Sequence, residues 1–257
     1  MSTVGVVVLS LKGMKHLPEC LESVKWADAI LVIHAGSDEP WIASSACSSV
    51  IVRKAASAKE LWELVREIKT DWILRLWGEE RVEESLKEQL EALRREKLSD
   101  TPIDYRIPVR SQLLGRWVDG SLWDPSPALR LSRGAGPFSF EWWDRSVASN
   151  GRTARSLAGW IADYTLSDLS DGMEQIQTVS GLWAEYLRNQ GRNLSPPAIA
   201  NRSFQVFMQL LMKNRAFSKG LAGWTLSVLA AYVVLLAAAK CWEANYLFGK
   251  KVTKGYD

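Results

Sequence analysis

Histidine and cysteine are scarce in this chain of 257 residues. The three cysteines, Cys20, Cys47 and Cys241, lie far apart and form no CxxC pair. This spacing indicates neither a disulfide framework nor a zinc knuckle. The two histidines, His16 and His34, are too few for a histidine-rich metal site.

An excess of charge of one sign is also lacking. The 32 lysines and arginines nearly balance 29 acidic residues, which leaves a formal charge of +3. This balance predicts no nucleic-acid partner. Residues 1–9 carry no basic segment and no cleavage site, so we read them as a strand and expect a cytoplasmic protein. Hydrophobic residues make up 47% of the chain and charged residues 24%, which is ordinary globular composition.

Short apolar runs alternate with helical patterns over the first hundred residues. Strands are predicted at 4–9, 29–33, 49–53 and 71–76. Helices are predicted at 16–26, 57–69 and 83–97, the second capped by Ser57 with Glu60 three residues later. This order predicts an α/β fold with a mostly parallel sheet sandwiched by helices. Ligands of such sheets bind beyond the carboxyl ends of the strands, here the loops at 10–13, 34–40 and 77–80.

The pattern changes after residue 103. Short strands broken by Gly and Pro are expected at 105–109, 116–118 and 128–131. A polar helix at 169–190 and a break at 195–197 precede an apolar helical extension. We expect one domain over 1–150 and a helical, membrane-associated C-terminal region over 151–257.

The longest uncharged stretch covers residues 221–239. It is near the length that spans a bilayer, and Trp224 and Trp242 flank it together with basic residues on both sides. Three interpretations stay open, namely a membrane span, a helix lying in the membrane interface, and a buried core helix.

Four segments of the first 82 residues carry a recognisable pattern. They are Val4-Gly-Val-Val-Val-Leu-Ser10, the segment 17–28, the segment 29–37, and Asp71-Trp-Ile-Leu-Arg-Leu-Trp-Gly-Glu-Glu-Arg-Val82. Together they resemble inverting family 2 glycosyltransferases. The last resembles the family block D-W-(apolar)-L-x-L-D-A-D-E-R-(apolar). Segments 105–108, 114–117, Trp123, 130–133 and 240–243 resemble the branch that includes lipopolysaccharide-core glucosyltransferases. The resemblance implies a GT-A, Rossmann-like fold.

This resemblance also implies a chemistry. Such enzymes move a sugar from a nucleotide-sugar donor to a lipid-linked or lipopolysaccharide-type acceptor, with inversion. A divalent cation, Mg²⁺ or Mn²⁺, held by an aspartate-x-aspartate motif neutralises the leaving diphosphate. A separate carboxylate takes the proton of the acceptor hydroxyl. The acceptor implied is a glycolipid or polysaccharide at the inner face of the cell membrane, with peripheral membrane contact.

The motif residues depart from the family pattern. The aspartate-x-aspartate block reads Trp77-Gly78-Glu79, which leaves Glu79 as the metal ligand. The catalytic base position is occupied by Asp144 of Trp143-Asp144. The nucleotide-contacting positions that the resemblance and the strand ends together indicate are Ser10, Lys12, His34, Gly36, Glu80 and Arg130.

Each of these residues has a structural alternative. Glu79 and Glu80 could cap the helix that follows them. Asp144 could be a turn residue. Lys12 could be a solvated lysine, His34 a strand-end histidine, and Arg130 and Arg133 partners in structural salt bridges rather than phosphate ligands. Trp123, Trp142 and Trp143 could form a platform for a sugar ring or pack in the core.

Two functions therefore remain in view. The first is an active glycosyltransferase with an altered donor site. The second is a catalytically inactive relative that binds a partner or glycan in envelope polysaccharide assembly.

Overall fold

A computed structural model gives the architecture of most of the chain. It describes residues 1–11, 14–35, 50–55, 57–95, 103–122, 127–134, 153–189, 195–213 and 215–253. The strands are β1 (Val4–Leu11), β2 (Ala29–Ala35), β3 (Val50–Lys54), β4 (Trp72–Trp77), β5 (Glu80–Val82), β6 (Ile103–Ile107), β7 (Val109–Leu113), β8 (Arg116–Asp119), β9 (Ala128–Arg133), β10 (Thr153–Ser156) and β11 (Ile161–Asp163). The helices are α1 (Leu17–Ser23), α2 (Ala58–Val65), α3 (Glu84–Arg95), α4 (Leu169–Asn189), α5 (Pro196–Met208) and α6 (Leu221–Thr253).

A seven-stranded sheet forms the centre, in the order β10-β6-β9-β4-β1-β2-β3. Strands β3, β2, β1 and β4 are parallel, and β9 runs antiparallel to both β4 and β6. The expected α/β fold with a mostly parallel sheet is confirmed. Because β1 is buried along its whole length, its continuous apolar sequence suits a central parallel strand.

Helices cover both faces of this sheet. On one face Val6, Val8 and Val32 share a core with α1 and α3. On the other face Leu9 and Ile33 share a core with α2, α4 and α6. The predicted cap of α2 is confirmed, since the Ser57 hydroxyl accepts a hydrogen bond from the Glu60 amide at 3.1 Å.

A second, four-stranded sheet has the order β5-β11-β7-β8. The single strand expected at 105–109 is instead two strands, one in each sheet, divided at Pro108. Proline has no N–H to donate to a sheet, so it suits a position between strands. The β7–β8 hairpin turns through Leu114 and Gly115, both with positive φ.

The C-terminal helices pack on the sheet rather than standing apart from it. Within the described residues, one helix is long and apolar enough to cross a membrane, at Leu221–Tyr246 with mean hydropathy 2.0, and half of it is buried in the protein. Its buried side includes Leu226 and Val233. Gly223 lets α6 lie against the backbone of Ala216, whose carbonyl oxygen a side chain at 223 would strike.

Strands from both sides of residue 150 pair with each other. β10 joins β6 in the larger sheet, and β11 joins β5 and β7 in the smaller one. The division into 1–150 and 151–257 stays a prediction about domains.

Candidate functional site

Two of the predicted nucleotide-contacting residues lie side by side where strands of the larger sheet end. Ser10 on β1 and His34 on β2 are neighbours in the parallel register, and both are buried. The Nδ1 atom of His34 is 3.4 Å from the Ser10 hydroxyl. This places a polar pair at the carboxyl edge of the sheet, where ligands of open α/β sheets bind. Five other candidates, Lys12, Gly36, Trp123, Trp142 and Trp143, lie outside the described residues, as does the candidate base Asp144.

The indole of Trp77 is part of the core. It is 5% exposed and shares a cluster with Met14 and Leu11. Gly78 passes close to Met14, and its amide donates to the Leu9 carbonyl at 2.9 Å. The position of the first family aspartate is therefore a packing position in this chain.

Glu79 is a buried carboxylate, 2% exposed. Its Oε2 accepts a hydrogen bond from the His16 amide at 3.2 Å, and its Oε1 accepts one from Nε2 of Gln175 at 3.4 Å. Burial raises the pKa of Glu79 to about 7, helped by the nearby Asp163 carboxylate and opposed by hydrogen bonds from His16, Lys15 and Gln175. Glu79 can therefore exchange a proton near neutral pH.

The His16 ring lies beside Glu79 and is partly exposed. Its Nε2 is 4.0 Å from Oε2 of Glu79 and 3.3 Å from the Ser167 hydroxyl. Arg81 donates to its Nδ1 at 3.1 Å. Burial, together with the positive charge of Arg81, lowers the pKa of His16. Sequence reasoning gave His16 no role at the site. It included Arg81 in the block at 71–82 without assigning it a contact, and it missed Gln175, which belongs to no quoted motif.

Glu80 and Arg130 bind each other. Two hydrogen bonds, at 2.6 and 3.0 Å, join the guanidinium to the fully buried carboxylate, which also accepts from the Trp77 amide at 2.8 Å. Arg130 was read either as a phosphate ligand or as a salt-bridge partner, and the structure has the salt bridge. Helix α3 begins at Glu84, so the expectation that Glu79 and Glu80 cap it is wrong.

The described residues do not fit a divalent cation. No three Asp, Glu, His or Cys side chains among them come together as a ligand set. Both oxygens of Glu79 already accept N–H groups, and its expected partner in the motif is the indole of Trp77. The arrangement supports proton exchange at Glu79 and His16 better than metal ligation.

Solved structures of other proteins superpose on this chain, whereas no family model matches its sequence. The mannosyltransferase PcManGT from Pyrobaculum calidifontis, solved with GDP-Man and Mn²⁺, superposes with a TM-score of 0.50 at 11% identity, over 94% of this chain and 88% of that one. S. aureus TarS (1-349) superposes at 0.45 and 13% identity, over 96% and 92%. Glucosyl-3-phosphoglycerate synthase from Mycobacterium tuberculosis, solved with Mn²⁺, UDP and phosphoglyceric acid, superposes at 0.45 and 13% identity, over 76% and 80%.

The arrangement of the sheets and the superposition on the mannosyltransferase agree with the fold expected from the sequence. This chain therefore has a mixed α/β fold of the GT-A, Rossmann-like type, followed by C-terminal helices.

Proposed function

We propose that this protein is a glycosyltransferase that takes its donor, a nucleotide-sugar, at the carboxyl edge of the larger sheet. The observation that carries the proposal is the superposition, over 94% of the chain, on a mannosyltransferase in complex with GDP-Man. Ser10 and His34 lie at the edge where the fold rule puts a nucleotide. Lys12 and Gly36 stay in the hypothesis as donor contacts. Glu80 and Arg130 were expected to contact the donor as well, but they bind each other, so in this proposal they position β5 and β9 near the donor edge.

The finer proposal is an inverting family 2 enzyme of the lipopolysaccharide-core type. In a single displacement, the acceptor hydroxyl attacks the anomeric carbon while Asp144 takes its proton, and the nucleoside diphosphate leaves. The resemblance also implies a divalent cation that would neutralise the leaving diphosphate, with Glu79 as its ligand. Because the described residues do not fit such an ion, no step of this proposal depends on it. The proposed acceptor is a glycolipid or polysaccharide.

The buried acids support a second candidate, a non-catalytic relative that binds a partner or glycan in envelope polysaccharide assembly. Trp77 packs in the core, Glu79 accepts hydrogen bonds from N–H groups of the protein, and Glu80 is neutralised by Arg130. These three positions make contacts within the protein instead of presenting carboxylates to a ligand.

Calorimetric titration with UDP, GDP and their sugar conjugates, in Mn²⁺ and in a chelator, separates the candidates. We expect binding of at least one nucleotide, weakened about fivefold by His34→Ala, since one lost hydrogen bond or stacking contact is worth roughly 1 kcal/mol. Lys87→Ala, which removes an ion pair with Glu84 on the surface of α3, serves as the control and should bind as wild type does.

The metal arm and a transfer assay complete this test. Loss of binding in the chelator would assign a cation to the donor site, and unchanged binding would agree with the poor ligand set. Binding without sugar transfer favours the second candidate. Absence of binding by a folded protein contradicts both the donor site and the transferase.

We also propose that α6 docks on the inner face of the cell membrane from the cytoplasm. Its exposed stripe, defined as Leu221, Trp224, Val228, Leu235 and Trp242, leaves each of these side chains at least 45% exposed. They recur three, four or seven residues apart, which places them on one side of the helix. Interfacial tryptophans and flanking basic residues suit a helix lying in the plane of an anionic membrane.

Co-sedimentation with vesicles tests this stripe. We expect binding to phosphatidylglycerol vesicles over phosphatidylcholine vesicles. Val228→Glu should weaken it about tenfold or more, because a charge replaces an exposed apolar side chain that would enter the membrane interface. Ile51→Glu, at an exposed apolar position on β3, should leave binding unchanged. Equal loss in both variants, or no sedimentation of the wild type, would refute the docking face.

A further inference from the structure

Aromatic side chains gather on the outer face of the four-stranded sheet. Trp117 on β8 lies edge-on to Trp160 and to Tyr164, with ring centroids 5.2 and 5.6 Å away. All three are partly exposed, whereas Ala162 between the last two is completely buried beneath this layer. We name these three rings the aromatic cluster.

Two arginines lie over the rings. The guanidinium of Arg81 is 4.3 Å from the centroid of Tyr164, and that of Arg110 is 5.0 Å from Trp160. Each is charge-balanced, Arg81 by Glu19 at 3.6 Å and Arg110 by Asp119 at 2.9 Å. The surface therefore offers many N–H donors and carboxylate acceptors with little net charge.

A cleft of about 430 Å³ adjoins the aromatic cluster. Its lining includes Gln112, Ser167 and Asp168, together with apolar atoms of the hairpin turn at Leu114 and Gly115. Gln112 on β7 pairs directly with Trp117 on β8, so it belongs to the cleft and borders the rings at once. The volume lies in the range of small-molecule sites.

We propose that the aromatic cluster and this cleft form a binding surface for uncharged pyranose sugars. A pyranose has an apolar C–H face that packs on an aromatic ring, and hydroxyls that need both donors and acceptors around its rim. Trp117 provides the aromatic ring, while Gln112, Asp168 and the two arginines provide the donors and acceptors around it. Because both arginines are already paired with carboxylates, a phosphate or an acidic sugar gains little there.

This surface supplies the proposed enzyme with a place for a glycan acceptor, and only that assignment rests on the proposed function. Sugar binding itself depends on neither Ser10 nor His34 at the edge of the larger sheet. The two inferences can therefore fail separately.

Fluorine NMR of protein carrying 5-fluorotryptophan tests the surface directly. Trp117→Phe and Trp160→Phe assign the two resonances. We expect millimolar maltohexaose, mannohexaose or chitohexaose to shift both, while Trp224 and Trp242 on α6 stay unmoved. No shift of either resonance with any of the three probes would overturn the proposal, as would equal shifts at all four tryptophans.

Variants then measure the contribution of each part. Trp117→Ala is expected to weaken sugar binding about tenfold, the worth of one aromatic stacking contact, and Gln112→Ala to weaken it severalfold with no effect on the fold. Phe204→Ala, an exposed aromatic on α5, is the matched control and should bind as wild type does. Wild-type affinity in both Trp117→Ala and Gln112→Ala would refute the surface, whereas nucleotide titration of the same variants reports on the donor edge alone.

Discussion

Replacing Arg130 by alanine is expected to lower the free energy of unfolding by about 3–5 kcal/mol, the usual effect of removing one partner of a buried ion pair. Glu80 is completely buried, and Arg130 supplies two of the hydrogen bonds to its carboxylate. The variant removes the guanidinium that neutralises this buried charge, while the hydrogen bond from the Trp77 amide stays. Urea denaturation of wild type and variant measures the difference.

Two controls define the meaning of this result. Lys87→Ala breaks an exposed ion pair with Glu84 and should change stability by less than about 0.5 kcal/mol. The double variant Glu80→Met with Arg130→Met removes both charges and should recover most of the loss. If Arg130→Ala is no more harmful than Lys87→Ala, the pair does not hold the fold, and a ligand-binding role for Arg130 gains weight.

The second large effect is a dependence on pH centred on Glu79. Its pKa is raised from 4.5 to about 7 in the folded protein, which corresponds to about 3 kcal/mol. Between these values the folded state holds a proton that the unfolded state has released, so stability falls as pH rises from 4.5 to about 7. Glu79→Gln removes this loss.

We would measure the free energy of unfolding of Glu79→Gln and of wild type from acid pH to pH 8. The free energy of the variant minus that of wild type should rise with pH, by as much as about 3 kcal/mol over this range. His16, whose pKa is lowered, acts with the opposite sign below about pH 6.5 and is present in both proteins, so it largely cancels. A flat line for Glu79→Gln would mean that its carboxyl titrates normally and would contradict this prediction.

Sequence reasoning recovered the layered α/β core because its signals are local. The β-branched runs of β1 and β2, the Ser57 cap and the helix from 169 each depend on neighbours in the chain, and each is confirmed. The short strands β5 and β11 have three residues each, too few for a periodic pattern, and the sequence did not predict them.

The candidate site was less accessible to sequence reasoning because its contacts are between distant segments. Gln175 reaches Glu79 across 96 positions, and Arg130 reaches Glu80 across 50. A motif shows which residue types are adjacent in the chain, whereas the proton affinity of Glu79 depends on which helix buries it. The resemblance to a glycosyltransferase block therefore predicted the acid positions and not their surroundings.

The position of α6 has a consequence for the order in which the protein matures during synthesis. One face of β1 and β2 is covered partly by Leu226 and Val233, which are translated about two hundred residues after those strands. Until α6 leaves the ribosome, the part of this apolar sheet face that α6 covers is exposed to water and to other nascent chains. The protein should thus depend on a chaperone or on a nearby lipid surface during translation, and chains stopped before residue 221 should aggregate.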